Sequence, residues 1–153
     1  MLPSNREEQM SKKSIAEIAK EMAGIDIAIL STHTENGEIA NRPMSNNGDV
    51  EYGGDSFFFT DEHTHTVRDI ERDPKVGLSF TGAKGFLGKP PNFIVIEGMA
   101  ELIRDKAVFE KHWTKDLEIW FKDGVDTPGI VLIKVHASRI HYWDGADQGE
   151  IKL

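Results

Sequence analysis

The chain is predicted to be mostly β: about six antiparallel strands, closed or half closed as a barrel, with helices flanking the open side. Three observations predict this. Asn36-Gly37 joins two strand-like runs, and that dipeptide suits the positive φ of a tight hairpin. Val76, Leu78 and Phe80 alternate with small or polar residues, the two-residue period of a half-buried strand. Connections are short almost everywhere, which favours antiparallel neighbours over crossovers. A chain of 153 residues is long enough for one domain with a core of its own.

Taken in order, residues 1–10 are expected to form a flexible tail. The folded domain is expected over 11–145, and 146–153 reads as a polar C-terminal tail. Ser14-x-x-Glu17 is a capping box, followed by Ile15, Ile18, Ala19 and Met22 at helical spacing and by Gly24 as a stop. Residues 25–34 and 38–45 are the two strands of the hairpin. Pro43 lacks an N–H, so the second strand belongs at an edge or a bulge. Residues 46–55 form a turn-rich loop.

Residues 56–80 organise the rest. Phe57, Phe58 and Phe59 make an aromatic strand that ends at Thr60-Asp61. Thr64, His65 and Thr66 stand where a helix begins, with Val67 and Ile70 as its apolar face. Asp73-Pro74 stops it, because the residue before proline is biased away from the α region. Residues 82–91 are a glycine-rich, locally basic loop, and 92–104 a long strand. A helix is expected from Asp105 to about Lys122, since Phe109, Trp113, Leu117, Trp120 and Phe121 recur at three- and four-residue steps. Residues 130–135 and 139–143 form a last strand pair, or one bent strand.

The formal net charge of −8 argues against broad nucleic-acid or membrane-surface binding. No apolar run approaches the roughly 20 residues that span a bilayer, and the N-terminus lacks a signal-peptide core. A cytoplasmic protein is expected. There is no cysteine, so thiol catalysis and disulfides are excluded and redox chemistry would need a bound cofactor.

The candidate chemistry centres on an anion. A helix N-terminus presents unpaired N–H groups and the positive end of its dipole. At Thr64-His65-Thr66 an anion would also meet two hydroxyls and an imidazole; equally, Thr64 is an ordinary helix cap, and the two roles draw on the same N–H groups. Arg42 stands among small and apolar neighbours, and its planar fork suits phosphate or carboxylate. The other reading is a solvated arginine on an edge strand. His63-x-His65 is a poor metal pair, because residues two apart on a helix do not face each other, and no metal is expected. Trp113 and Trp120 fit a core face, whereas Trp143 ends a strand, where its ring would cover a ligand or close a subunit interface.

Five segments in this order resemble the pyridoxamine-phosphate-oxidase-related FMN-binding split barrels, and among them the general stress protein branch. They are Asn41-Arg42-Pro43-Met44-Ser45, Phe58-Phe59-Thr60-Asp61, Asp73-Pro74-Lys75-Val76, Ile96-Glu97-Gly98-Met99-Ala100 and Tyr142-Trp143-Asp144-Gly145. The segment 113–121 also looks like the helical insert of that branch. The resemblance spans about 15–145. It implies a six-stranded antiparallel split barrel and a homodimer with the cofactor at the subunit interface, the cofactor being FMN, or FAD in its place. It further implies that Arg42 reaches the phosphate and that Pro43 and Met44 lie along the isoalloxazine. Phe59 and Thr60 would line the cofactor from the next strand, and Thr64, His65 and Thr66 fall on the phosphate-binding triplet. Trp143 would approach the ring from the other subunit.

One departure stands out: the family triplet commonly ends in lysine, and here it ends in Thr66. The phosphate loses a charge-assisted partner, which leaves Arg68, Lys84 or Lys89 as substitutes. The arginine-rich C-terminal site of true pyridoxamine phosphate oxidases has no match, so that oxidation is not expected. Three functional readings stay open. The chain is an FMN-dependent oxidoreductase taking hydride from a nicotinamide donor, a non-catalytic flavin-binding or flavin-buffering module, or a small barrel that binds an apolar ligand without flavin.

Overall fold

A computed structural model describes residues 13–46 and 51–153. The expected N-terminal tail and part of the 46–55 loop lie outside the described residues. The elements follow the order α1 (Ile15–Ala23), β1 (Ile27–His33), β2 (Ile39–Ser45), β3 (Asp55–Asp61), α2 (His65–Arg72), β4 (Lys75–Thr81), β5 (Phe93–Ile103), α3 (Lys106–His112), β6 (Ile130–Asp144) and β7 (Asp147–Lys152). All strand pairings are antiparallel. The sheet runs β2-β1-β4-β5-β6-β3, with β7 added alongside β6. The ends of that path, β2 and β3, are not paired with each other, so the half-barrel stays open along one seam.

Local chemistry accounts for most of these elements. Ser14 Oγ accepts from the Glu17 N–H at 3.2 Å and Glu17 Oε1 accepts from the Ser14 N–H at 3.3 Å, completing the capping box of α1. At the β1–β2 turn the Thr34 N–H donates to the Glu38 carbonyl at 2.8 Å, and Gly37 takes the positive φ of 77° that the turn needs. β2 is an end strand, which is where Pro43 can sit without breaking a ladder.

The barrel interior is filled by alternate residues of each strand: Leu30, Phe58, Leu78, Phe80, Ile94, Ile96, Ile140 and Tyr142, closed by Ile18 and Met22 of α1. A second, smaller core lies on the other face of β3. There Phe57 and Phe59 pack with Phe109, Leu132, Trp113 and Phe121. β3 is therefore packed on both faces, Phe58 fully buried and Phe57 and Phe59 partly so, which explains its three consecutive phenylalanines.

β6 is one bent strand, the second of the two arrangements expected. Glu97 pairs with Arg139 and Gly98 with Ala137, so Ser138 is the extra residue of a bulge. One edge of β6 follows β5 throughout; the other pairs β3 before the bulge and β7 after it. Gly98 faces the bulge because a Cβ there would lie 2.6 Å from the His136 carbonyl oxygen.

Two expectations need correction. Residues 146–153 are not a tail: Gly145, at φ 62°, turns the chain and 147–152 pair with β6 as β7. The expected helix over 105–122 stops at His112. Trp113 is extended (φ −74°, ψ 136°), and a short 3-10 turn follows at Lys115–Ile119. The break lets Trp113 pack edge-on against both Phe59 at 5.0 Å and Phe121 at 6.0 Å. Among the described residues, no helix is long and apolar enough to cross a membrane.

Candidate functional site

The open seam is a cleft. One wall is β2 with the start of β1 (Pro43, Met44, Ser45, Ile27); the other is the end of β3 (Phe59, Thr60, Asp61) with Thr64. Leu117, Trp120 and Phe121 close a third side. The cavity is 520 Å³, within the roughly 300–1,000 Å³ of small-molecule sites. Its walls are mainly apolar, with polar groups gathered at the Thr60–Thr64 end.

That end is the N-terminus of α2. Thr64 is its cap: the hydroxyl accepts from the Val67 N–H at 3.3 Å and donates to the Asp61 carbonyl at 2.9 Å. The N–H groups of His65 and Thr66, at the first two helical positions, have no intrahelical acceptor. Arg68 supplies a cation to this turn. Its Nη2 lies 3.1 Å from His65 Nδ1 and its Nη1 donates to the His63 carbonyl at 3.4 Å. Of the three lysine substitutes suggested by the sequence, Arg68 is the one on this helix turn. Lys89 instead reaches Asp144, 3.7 Å away.

Five of the nine sequence-predicted site residues line the cleft together: Pro43, Met44, Phe59, Thr60 and Thr64. His65 adjoins it, exposed, beside Arg68. Thr66 is buried on the inner side of α2. Arg42 points to the barrel interior rather than along the cleft wall. Its Nη1 donates to Thr32 Oγ1 at 2.8 Å and its Nη2 lies 3.5 Å from Asp69 Oδ2. Thr32 Oγ1 also donates to Asp69 Oδ2 at 2.8 Å, and Arg72 Nη1 lies 3.5 Å from Asp69 Oδ1. Burial pulls the Arg42 pKa down against the opposing pull of Asp69. The guanidinium has five N–H donors, so these contacts leave some free.

Trp143 is outside the cleft of its own chain. It pairs with Phe93 and stacks over His141, ring centroids 6.0 Å apart. The β-ladder registers put it on the outer sheet face together with Ile27, Ile29, Ile39, Phe93 and Met99. Each of these five aliphatic or aromatic side chains is more than a third exposed. The cleft opens beside this face, through Ile27 and Pro43.

Sequence reasoning missed Asp69 and Thr32, and it assigned Leu117 and Trp120 to a core face. Asp69 did leave a signal: it lies three residues after Thr66 and beside Ile70, on the inward side of a short helix, where a lone carboxylate must be paired.

The chain resembles several proteins of known structure. A protein from Clostridium acetobutylicum, described as related to general stress protein 26 of B. subtilis and of the pyridoxinephosphate oxidase family, aligns over 91% of this chain and 94% of its own, with 21% identity and a TM-score of 0.75. General stress protein 26 of Bacillus anthracis aligns over 90% and 96%, with 24% identity and a TM-score of 0.71. A heme binding protein from Mycobacterium smegmatis shares the fold at 16% identity and a TM-score of 0.73, over 94% of this chain and 60% of that one. No curated protein matches this chain in sequence. The family described as pyridoxamine 5'-phosphate oxidase like matches residues 13–153, and the chain belongs to that family.

Proposed function

We propose that this is an FMN-binding protein of the general stress type, with the flavin ring in the seam between β2 and β3 and its phosphate at the start of α2. One observation carries the reading. A mainly apolar cleft of 520 Å³ runs between two sheet edges that are unpaired among the described residues and ends on a helix N-terminus. Apolar walls suit a planar ring, and free N–H groups with an adjacent Arg68 suit a dianion. FMN supplies hydride chemistry when bound; the chain would orient it and shield it from water.

Within this reading Pro43 and Met44 support the ring, while Phe59 and Thr60 face it from β3. Thr64, His65 and Thr66 present the helix N-terminus to the phosphate; Arg42 points to the barrel interior, and the N–H groups that Thr32, Leu30 and Asp69 leave free would reach the phosphate from that side. The outer face, where Ile27, Ile29, Ile39, Phe93 and Met99 stand exposed among polar residues such as Ser79, Glu97 and Arg139, supports a homodimer, since clustered exposed apolar side chains favour a partner. Trp143 on that face would meet the partner's cofactor. Whether the protein turns over a nicotinamide donor or only stores flavin is decided by mixing the loaded protein anaerobically with NADH or NADPH. Bleaching marks a reductase, and an unchanged spectrum marks a binder. The reading itself is tested by adding FMN, desalting and recording the visible spectrum. Flavin bands shifted from those of free FMN support it. A colourless protein, or one that takes up heme and refuses flavin, overturns it.

A further inference from the structure

We propose that Trp120 is the side chain that covers the flavin ring in the cleft, an inference that rests on the FMN reading above. Trp120 is 70% exposed, although its segment holds the buried Phe109 and the partly buried Trp113 and Phe121. The segment is anchored on either side of it. Phe59 packs edge-on against Phe109 at 5.7 Å and against Trp113 at 5.0 Å, and Trp113 packs against Phe121 at 6.0 Å.

In an unbroken helix Trp120 would share the face of Phe109 and Trp113. The extended residues Trp113 and Thr114 break that register, and the 3-10 turn at Lys115–Ile119 sets Trp120 at the cleft instead. Pro43 and Met44 line another wall of the same cleft. An indole left in water forgoes the burial that its neighbours obtain. A planar, electron-poor ring lying against Pro43 would supply it. The indole offers an electron-rich face for stacking and one N–H donor for a polar edge of the ring or water.

Trp120 is thus a positioning residue for the ring, and stacking predicts an optical signature. An indole stacked on isoalloxazine quenches flavin emission, whereas phenylalanine stacks with little quenching. The experiment compares wild type, Trp120→Phe and Trp120→Ala, measuring FMN affinity by equilibrium dialysis, emission of the bound flavin and mass by sedimentation. We expect Trp120→Phe to bind FMN nearly as wild type does while its bound flavin brightens severalfold. Trp120→Ala should weaken binding about tenfold.

Wild-type affinity and unchanged emission in both variants overturn the assignment. So does a loss confined to the oligomeric state, which would give Trp120 and its exposed neighbour Ile119 to a second copy of the chain. A wild-type protein that takes up no flavin overturns the FMN reading first and this one with it, and is thereby told apart from failure of Trp120 alone.

Discussion

Arg42 Nη2 lies 3.5 Å from Asp69 Oδ2, with the Thr32 hydroxyl bonded to both residues. β2 and α2 are joined through this contact. Arg42→Ala therefore has two expected effects. It leaves Asp69, only 5% exposed, with Arg72 as its remaining ion-pair partner among the described residues. The stability loss should be about 2–3 kcal/mol, below the usual loss for breaking a fully buried pair because Arg42 keeps some solvent contact. It also removes the strand cation, so most FMN retention should disappear. Removing Asp69 as well, in Arg42→Ala/Asp69→Ala, should restore much of the stability but not the retention. Urea unfolding and flavin content after desalting measure the two. A double variant that regains both would confine Arg42 to the ion pair.

On the proposed FMN reading Arg68 takes the place of the absent triplet lysine, so Arg68→Ala should weaken FMN binding about fivefold and flatten its salt dependence. Flavin fluorescence titrations across a salt series provide the check. Identical curves for wild type and Arg68→Ala would show that the helix N-terminus needs no added cation.

Gly98 meets the bulge at Ser138, and an added methyl would press on the His136 backbone oxygen at 2.6 Å. Backbone in the middle of the sheet cannot move aside without disturbing the β5–β6 ladder. Gly98→Ala should cost about 1–3 kcal/mol in urea unfolding. Gly53→Ala serves as the control, since nothing lies within 4 Å of a Cβ there. Equal losses at both sites would contradict the packing argument.

The stretch before α1 is tied to the end of β6 by Lys13 Nζ, which donates to Asp144 Oδ2 at 2.8 Å. That hydrogen bond, outweighing desolvation, holds the Asp144 carboxyl below its usual range. A carboxyl whose folded pKa is depressed contributes stability that is present above its unfolded pKa of about 3.9 and lost as pH falls through the folded value. Asp144→Asn should therefore be less stable than wild type at about pH 6, with the gap narrowing once the pH falls below about 3.9. A gap of constant size would mean that the ion pair contributes nothing pH-dependent.

Where local chemistry decides the structure, the sequence was readable. Ser14-x-x-Glu17, Asn36-Gly37, Thr64 and Asp73-Pro74 each act within a few residues, and each element begins or turns where they place it. Misreadings arose where distant residues decide. Trp113 leaves its helix for Phe59, 54 positions earlier, a pull that no helical period reveals. β7 was hidden because an edge strand needs few apolar residues, although Asp144-Gly145 carries its turn signal. The cleft residues on β2, β3 and the α2 cap were legible as a set. The interior partner of Arg42 was not, because Asp69 lies 27 residues away on another element.

The central claim is that the start of α2 and its neighbouring cations hold a phosphate, and riboflavin provides the matching ligand without one. Isothermal titration with FMN and with riboflavin under the same conditions tests it directly. Two or more charge-assisted hydrogen bonds should make FMN bind at least about thirtyfold more tightly. Equal affinities would contradict the claim, whatever the ring then does in the cleft.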